Sequence, residues 1–318
     1  MQLSVQTNAN YLSAEKVLAS KGKSFYWARW LLSKKYSSRA TRLYRLCRYI
    51  DDLGDEEQSV EVSKASLEEV KRSITCGFSN NAILADGIIL INECSIEKSI
   101  IVDLISGVQS DTSIVRINSE DKLIRYCYQV AGTVGLMMSK ALDTHDKQAY
   151  PFAIDLGIAM QLTNICRDVK ADALMNRRYI PSILGHDLEP IALIKPLAKD
   201  VYLIKKMLKN LFDTSELYYK SGETGLSYLP LQARLSILVA ARIYREIGRK
   251  LKKRDYEYWH ERIFVSRLTK LFITLGCLVS VMYTIHFWRC PKGHIRSLHA
   301  ALNNQSSEPL ASAHVYAN

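Results

Sequence analysis

The sequence predicts an all-α chain folded as a single helical bundle. Three observations predict it. No proline occurs before Pro151, so nothing in the first half of the chain interrupts a helix. Apolar residues recur at three- and four-residue steps rather than in strict alternation. The strand signal is poor throughout. Helices are expected at about 11–20, 24–33, 38–56, 63–76, 82–93, 96–107, 119–143, 150–174, 198–220, 230–253 and 257–288, with ends set to within several residues. Pro151 and Pro230 fall where helices begin, the position at which a missing N–H costs least. Loops are marked by Ser79-Asn80-Asn81, by Ser110-Asp111-Thr112 and by the segment from Pro181 to Pro196.

The chain has 318 residues, enough for one large core. Its net charge of +11 suits an anionic partner: a phosphorylated substrate, an acidic membrane surface or a nucleic acid. Seven scattered cysteines without Cys-x-x-Cys argue against zinc and disulfide frameworks and fit a reducing compartment. Residues 1–10 carry neither a basic n-region nor an apolar core, so no secretory or transit signal is apparent and a cytoplasmic protein is expected. There is no Gly-x-Gly-x-x-Gly, no phosphate-binding glycine loop and no His-Glu-x-x-His.

The second helix opens with Gly22-Lys23-Ser24-Phe25. The segment offers either a capping Ser24 with Lys23 approaching an anion there, or a plain capping serine before an aromatic core face. In the third helix Tyr44, Arg48, Asp51 and Asp55 fall at i, i+4, i+7 and i+11, one stripe ending in two acids a turn apart. The segment Tyr126–Met138 is small and apolar, with Gly132 and Gly135 inside a helix. It serves either close helix packing or a smooth wall for a long hydrocarbon. In the helix over 150–174, Gln161, Asn164, Asp168 and Asp172 fall at i, i+3, i+7 and i+11, a second stripe ending in two acids. Such a pair repels itself unless it is solvated or a cation sits between the groups. Mg²⁺ takes oxygen ligands and bridges carboxylates to phosphates. Two facing stripes would form a metal-and-diphosphate cage between helices.

Residues 241–254 form a basic amphipathic segment, read first as a solvated face, then as membrane-attracted, with nucleic acid the weakest option. Residues 271–288 contain no Asp, Glu, Lys or Arg. They are long enough to span a bilayer, lie in its interface or close the bundle. The remainder, 289–318, is polar and is expected to be a tail. The domain reading is therefore 1–270 for the all-α bundle, 271–288 for an apolar helix suited to membrane contact and 289–318 for the tail.

Three segments, Tyr44–Glu56, Tyr126–Met138 and Gln161–Pro181, resemble the signature regions of the squalene/phytoene synthase family, the head-to-head prenyl synthases. The likeness runs in order from Gly22 to about Leu271 and includes Tyr218–Leu226 and Phe264–Leu271. The wording around Tyr126 and Gln161 is similar to bacterial phytoene synthases. Asn176 departs from the pattern, standing where the family has glycine. Asparagine tolerates a left-handed backbone, so the turn is expected to survive.

The resemblance implies an isoprenoid-synthase-type helical bundle around a central apolar channel. It implies Mg²⁺, or Mn²⁺, held by Asp51, Asp55, Asp168 and Asp172. Arg48, Gln161, Asn164 and Arg167 would contact diphosphate, and Ser24 and Phe25 would line its first site. Tyr44, Tyr126 and Tyr244, with Arg48, would serve catalysis. Val130, Val134 and Gly135 would line the channel. The activity implied is condensation of two geranylgeranyl diphosphates through a cyclopropyl diphosphate to phytoene. Squalene or dehydrosqualene synthesis from farnesyl diphosphate is the alternative, with NADPH needed for squalene. A non-catalytic lipid-binding or membrane-docking member is the alternative of another class. Expected partners are prenyl diphosphates, a membrane surface reached peripherally or through the C-terminal segment, and downstream isoprenoid enzymes, with no nucleic acid.

Overall fold

The computed structural model describes residues 14–55, 59–182, 187–291 and 293–303. It is helical, and among the described residues the only strand-like pairing is an isolated bridge between Arg116 and Arg178. After a helical stretch over 14–21 come α1 (Lys23–Arg29), α2 (Lys34–Asp55), α3 (Val60–Cys76), α4 (Ala82–Glu93) and α5 (Lys98–Ser110). Asn81 stops the loop before α4, its Oδ1 accepting from the N–H groups of Ile83 and Leu84 at 2.9 and 3.2 Å.

The stretch expected as one helix over 119–143 is α6 (Glu120–Cys127), a π-helical turn (Tyr128–Gly132) and α7 (Thr133–Ala141). A π turn adds a residue without ending the rod, so apolar spacing alone does not reveal it. Then follow α8 (Tyr150–Leu174), α9 (Pro190–Ile194), α10 (Ala198–Thr224) and α11 (Leu231–Lys253). The bounds of α8 match the expectation, and Pro151 sits in its first turn. The short α9 lies inside the segment expected to be loop throughout.

The helix α8 is the axis of the bundle. It packs against α7, the π turn, α9, α10 and α11. Backbones touch where it crosses the helix before it. A methyl on Gly135 would lie 2.1 Å from the carbonyl oxygen of Ala153, and one on Gly157 would lie 2.2 Å from that of Ala131. Both positions therefore require glycine, which accounts for glycines that are unfavourable inside a helix.

The C-terminal region departs from its expectation. Residues 257–266 are not helical, α12 covers Arg267–Ser280, and a turn separates it from α13 (Ile285–Trp288). No helix among the described residues is long and apolar enough to cross a membrane. Nor are all of 289–318 a free tail. A 3₁₀ turn (Arg296–His299) and α14 (Ala300–Asn303) pack on the bundle. The Nε2 atoms of His294 and His299 lie 2.7 Å from Asp155 Oδ2 and Oδ1, where Asp155 and His299 are fully buried in α8's surroundings.

Candidate active site

A cavity of about 680 Å³ runs through the bundle. One wall is a single stripe of α8, on which Ala153, Leu156, Met160, Asn164, Asp168 and Asp172 all face the cavity. The stripe begins apolar and ends acidic. From Ala153 to Asp172 it extends nineteen residues, about 28 Å of helix axis. Val130, Val134 and Gly135 form an adjoining wall, as expected. Gly135 both packs on α8 and lines the hollow.

The two acidic stripes converge. Asp51, Arg48 and Tyr44 of α2 line the same cavity as Asp168 and Asp172 of α8. Beyond α8, Arg177 Nη2 donates to the carbonyl oxygen of Gly54 at 3.4 Å, which ties the two helix ends together. Asp55 ends α2, and its side chain lies outside the described residues. Asn176 has φ +56°, the left-handed turn expected there. Arg116 fixes that turn, donating to the Asn176 carbonyl and to its Oδ1, each at 2.7 Å.

Arginines surround the acids. Arg167 donates through Nε to Asp168 Oδ1 at 2.9 Å and pairs with Oδ2 as well. Arg262 approaches the same carboxylate in a fork, Nε to Oδ1 at 3.0 Å and Nη2 to Oδ2 at 3.2 Å. Burial pushes the Asp168 carboxyl up, but the two guanidiniums outweigh it and hold it below the usual carboxylate range. One turn on, burial and the charge of Asp168 push the Asp172 carboxyl up to about 8, against the pull of Arg177. Arg48 pairs with Asp52, and its buried Nε has no partner among the described residues.

The neutral donors are placed beside these charges. Asn164 Nδ2 donates to Gln161 Oε1 at 3.2 Å, leaving Asn164 Oδ1 buried with no partner among the described residues. A buried amide oxygen without a hydrogen bond is costly unless a cation or donor reaches it. Asp51, Asp168, Asp172 and Asn164 line one cavity and carry oxygen donors of the type a hard divalent ion takes.

Aromatic rings border the polar end. The Phe25 ring lies 4.9 Å from that of Tyr244 and 6.1 Å from that of Tyr44, and all three line the cavity. Tyr126 and Tyr179 stack at 4.8 Å and both donate to Asp111, at 2.8 and 2.7 Å. Burial, reinforced by Asp111, raises both phenols, so each stays a hydrogen-bond donor and not a base. Ser24 is the exception among the expected residues. It neither lines the cavity nor caps α1, whose cap position is Gly22 with no side-chain bond. Arg262, Asp111 and Tyr179 were absent from the sequence-derived set. Arg262 lies two residues before the motif beginning at Phe264, which was the available hint.

A family profile described as squalene/phytoene synthase matches residues 18–269. The chain belongs to the squalene/phytoene synthase family. It is 32% identical over 272 residues to the 15-cis-phytoene synthase of Enterobacter agglomerans, covering 80% of this chain and 90% of that enzyme. It is 30% identical over 275 residues to the phytoene synthase of Pseudescherichia vulneris, covering 83% and 89%. Among solved structures, a dehydrosqualene synthase with bound ligand aligns at TM-score 0.76 and 24% identity, over 87% of this chain and 98% of that one. The squalene synthase HpnC from Alicyclobacillus acidocaldarius aligns at TM-score 0.69 and 18% identity, over 79% and 96%. These neighbours share the all-α fold. Enzymes of the family are prenyltransferases that carry out head-to-head condensation, and the chain is of that kind. The family uses divalent metal to bind diphosphate.

Proposed function

We propose that this chain is a phytoene synthase, which joins two geranylgeranyl diphosphates head to head through a cyclopropyl diphosphate to give phytoene for carotenoid synthesis. The observation that carries the reading is the meeting of the α2 and α8 acids at one end of a long cavity whose far walls are apolar. The phytoene synthases at about 30% identity support the C20 substrate over C15.

In this reading Asp51 and Asp55 on one side and Asp168 and Asp172 on the other hold Mg²⁺ or Mn²⁺, with Asn164 Oδ1 beside them. When bound, the metal supplies Lewis-acid charge for the departing diphosphate. Arg48, Arg167 and Gln161 bind and orient the diphosphates through charge-assisted or amide hydrogen bonds. Arg262 exchanges Asp168 for substrate oxygen as the site fills. The faces of Phe25, Tyr44 and Tyr244 steady the allylic cation, as aromatic rings do for positive charge. Tyr126, fixed by Asp111, positions the polar end of the cavity. Val130, Val134 and Gly135 keep water from the cation.

The decisive experiment is incubation of purified protein with each prenyl diphosphate, with and without NADPH and a metal chelator. The expected product is a C40 hydrocarbon from the C20 substrate, independent of NADPH and abolished by chelation. Product only from the C15 substrate assigns a squalene or dehydrosqualene synthase instead, and no product with either assigns a binding role.

The cavity also makes a length prediction. Ala153 lies fifteen residues before Asp168 on the same stripe, about 22 Å away along the axis. Ala153→Phe should lower kcat/KM for the C20 substrate at least ~10-fold, the scale on which a tight apolar pocket rejects extra carbon. It should spare the C15 substrate by comparison. Equal loss for both chains, measured in parallel, would mean that the hydrocarbon does not lie along α8.

A further inference from the structure

Helix α12 carries its large apolar residues on the outside. Leu268, Phe272, Leu275 and Val279, with Met282 in the following turn, succeed one another at steps of four, three, four and three residues, which is one face of a helix. Each is between 49% and 71% exposed. Tyr283, Ile285 and Trp288 continue the exposed surface through the turn and α13.

The inward side is mostly polar or small, with Ile273 its one large apolar residue packed on the core. Lys270 is buried and its Nζ donates to the Lys23 carbonyl at 2.9 Å. Thr274 Oγ1 accepts from Trp27 Nε1 at 3.0 Å, and Cys277 is fully buried. Arg242 Nη1 donates to Ser280 Oγ at 2.7 Å. These bonds fix the rotation of α12, so the outward face is imposed by the fold. A helix on a water-facing surface has the opposite arrangement, and contiguous exposed apolar surface of this kind marks an interaction site.

Charge selects the partner. From Arg262 to Asn303 the sequence holds no Asp or Glu and six Lys or Arg residues. Arg267 and Arg289, both exposed, bracket the apolar face. Large apolar side chains rimmed by cations, with no acid among them, match the boundary between anionic headgroups and acyl chains. The fourteen residues of α12 reach about 21 Å, short of the roughly 30 Å hydrocarbon core.

We propose that α12 and α13 form a monotopic docking face for an anionic lipid bilayer, lying in the interface with Leu268, Phe272, Leu275, Val279, Met282 and Trp288 among the acyl chains. The assignment stands independently of which diphosphate fills the cavity. It also orients the molecule. Ile237, Ala240 and Tyr244 of α11 line the cavity, while Arg234 and Arg242 of the same helix hold the α12–α13 segment through the Phe287 carbonyl and Ser280. One helix therefore separates the cavity from the membrane.

The test is flotation of the full chain with phosphatidylcholine vesicles, with and without phosphatidylglycerol. Wild type should float with the anionic vesicles and weakly with the neutral ones. The double variant Phe272→Glu, Leu275→Glu should partition at least ~10-fold less, with an unchanged melting curve and unchanged turnover of detergent-dispersed substrate. Wild type that ignores both vesicles, or a variant that floats equally well, would overturn the proposal. So would a dimer in sedimentation that the double variant dissociates and vesicles do not, since the face would then belong to a second copy. Turnover in detergent is read separately, so loss of docking is distinguishable from a failed enzyme assignment.

Discussion

Asp168→Asn is expected to lower kcat at least ~100-fold, or about 2.7 kcal/mol of transition-state stabilisation, with helix content unchanged by circular dichroism. The asparagine keeps the size of the side chain, so the cavity survives. What goes is a charge at the point where Arg167 and Arg262 converge. Their guanidiniums would then face each other across a neutral amide. The oxygen set formed with Asp172 and Asn164 would lose its most acidic member, the one that burial alone fails to neutralise. Near-normal turnover in this variant would remove Asp168 from the metal site and leave it as an arginine anchor.

The second large effect is on stability. Asp155→Ala should cost about 3 kcal/mol, the usual scale for removing one partner of a buried charged pair. Two imidazoles that donate to the carboxylate at 2.7 Å would be left without acceptors in an apolar setting. Burial raises the Asp155 carboxyl, but the bonds from His294 and His299 outweigh it and hold it below the usual range. A carboxylate depressed in this way contributes stability above its unfolded value, near 3.9, and that contribution is lost as pH falls through the lower folded value. In thermal melts the gap between wild type and variant should therefore hold at neutral pH and narrow as pH falls below about 4. Curves that stay parallel would show that the tie does not hold the C-terminal segment in place.

The same cluster shows how far the sequence could be read. An aspartate inside Phe152-Ala153-Ile154-Asp155-Leu156-Gly157-Ile158 is out of place on an apolar helix and calls for a partner. That half of the signal was legible. The histidines that answer it lie 139 and 144 residues away in a polar stretch that composition alone reads as a tail. The acidic stripes were legible because both acid pairs are local, set one turn apart by helix geometry. Arg262 was not, because its pairing with Asp168 depends on a non-helical segment returning across the bundle. The long helix expected over 257–288 failed for a related reason. Apolar periodicity reports which residues share a face, and it does not report whether that face meets protein or leaves it. Ser24 failed as a cap because a serine near a helix start suggests one, whereas α1 begins two residues earlier than that cap allows.

The paired contacts of Gly135 with Ala153 and Gly157 with Ala131 have a mechanical consequence. With backbone against backbone at both points, α7 and α8 act as one stiff beam, and that side of the tunnel has a fixed contour. Changes in bore then fall to side chains rather than backbone, whether those that α8 itself presents, as at Ala153, or those of Leu226, Leu229 and Ile237 elsewhere in the lining. The backbone contour at that edge is constant, and the width of the tunnel is set by what projects from it.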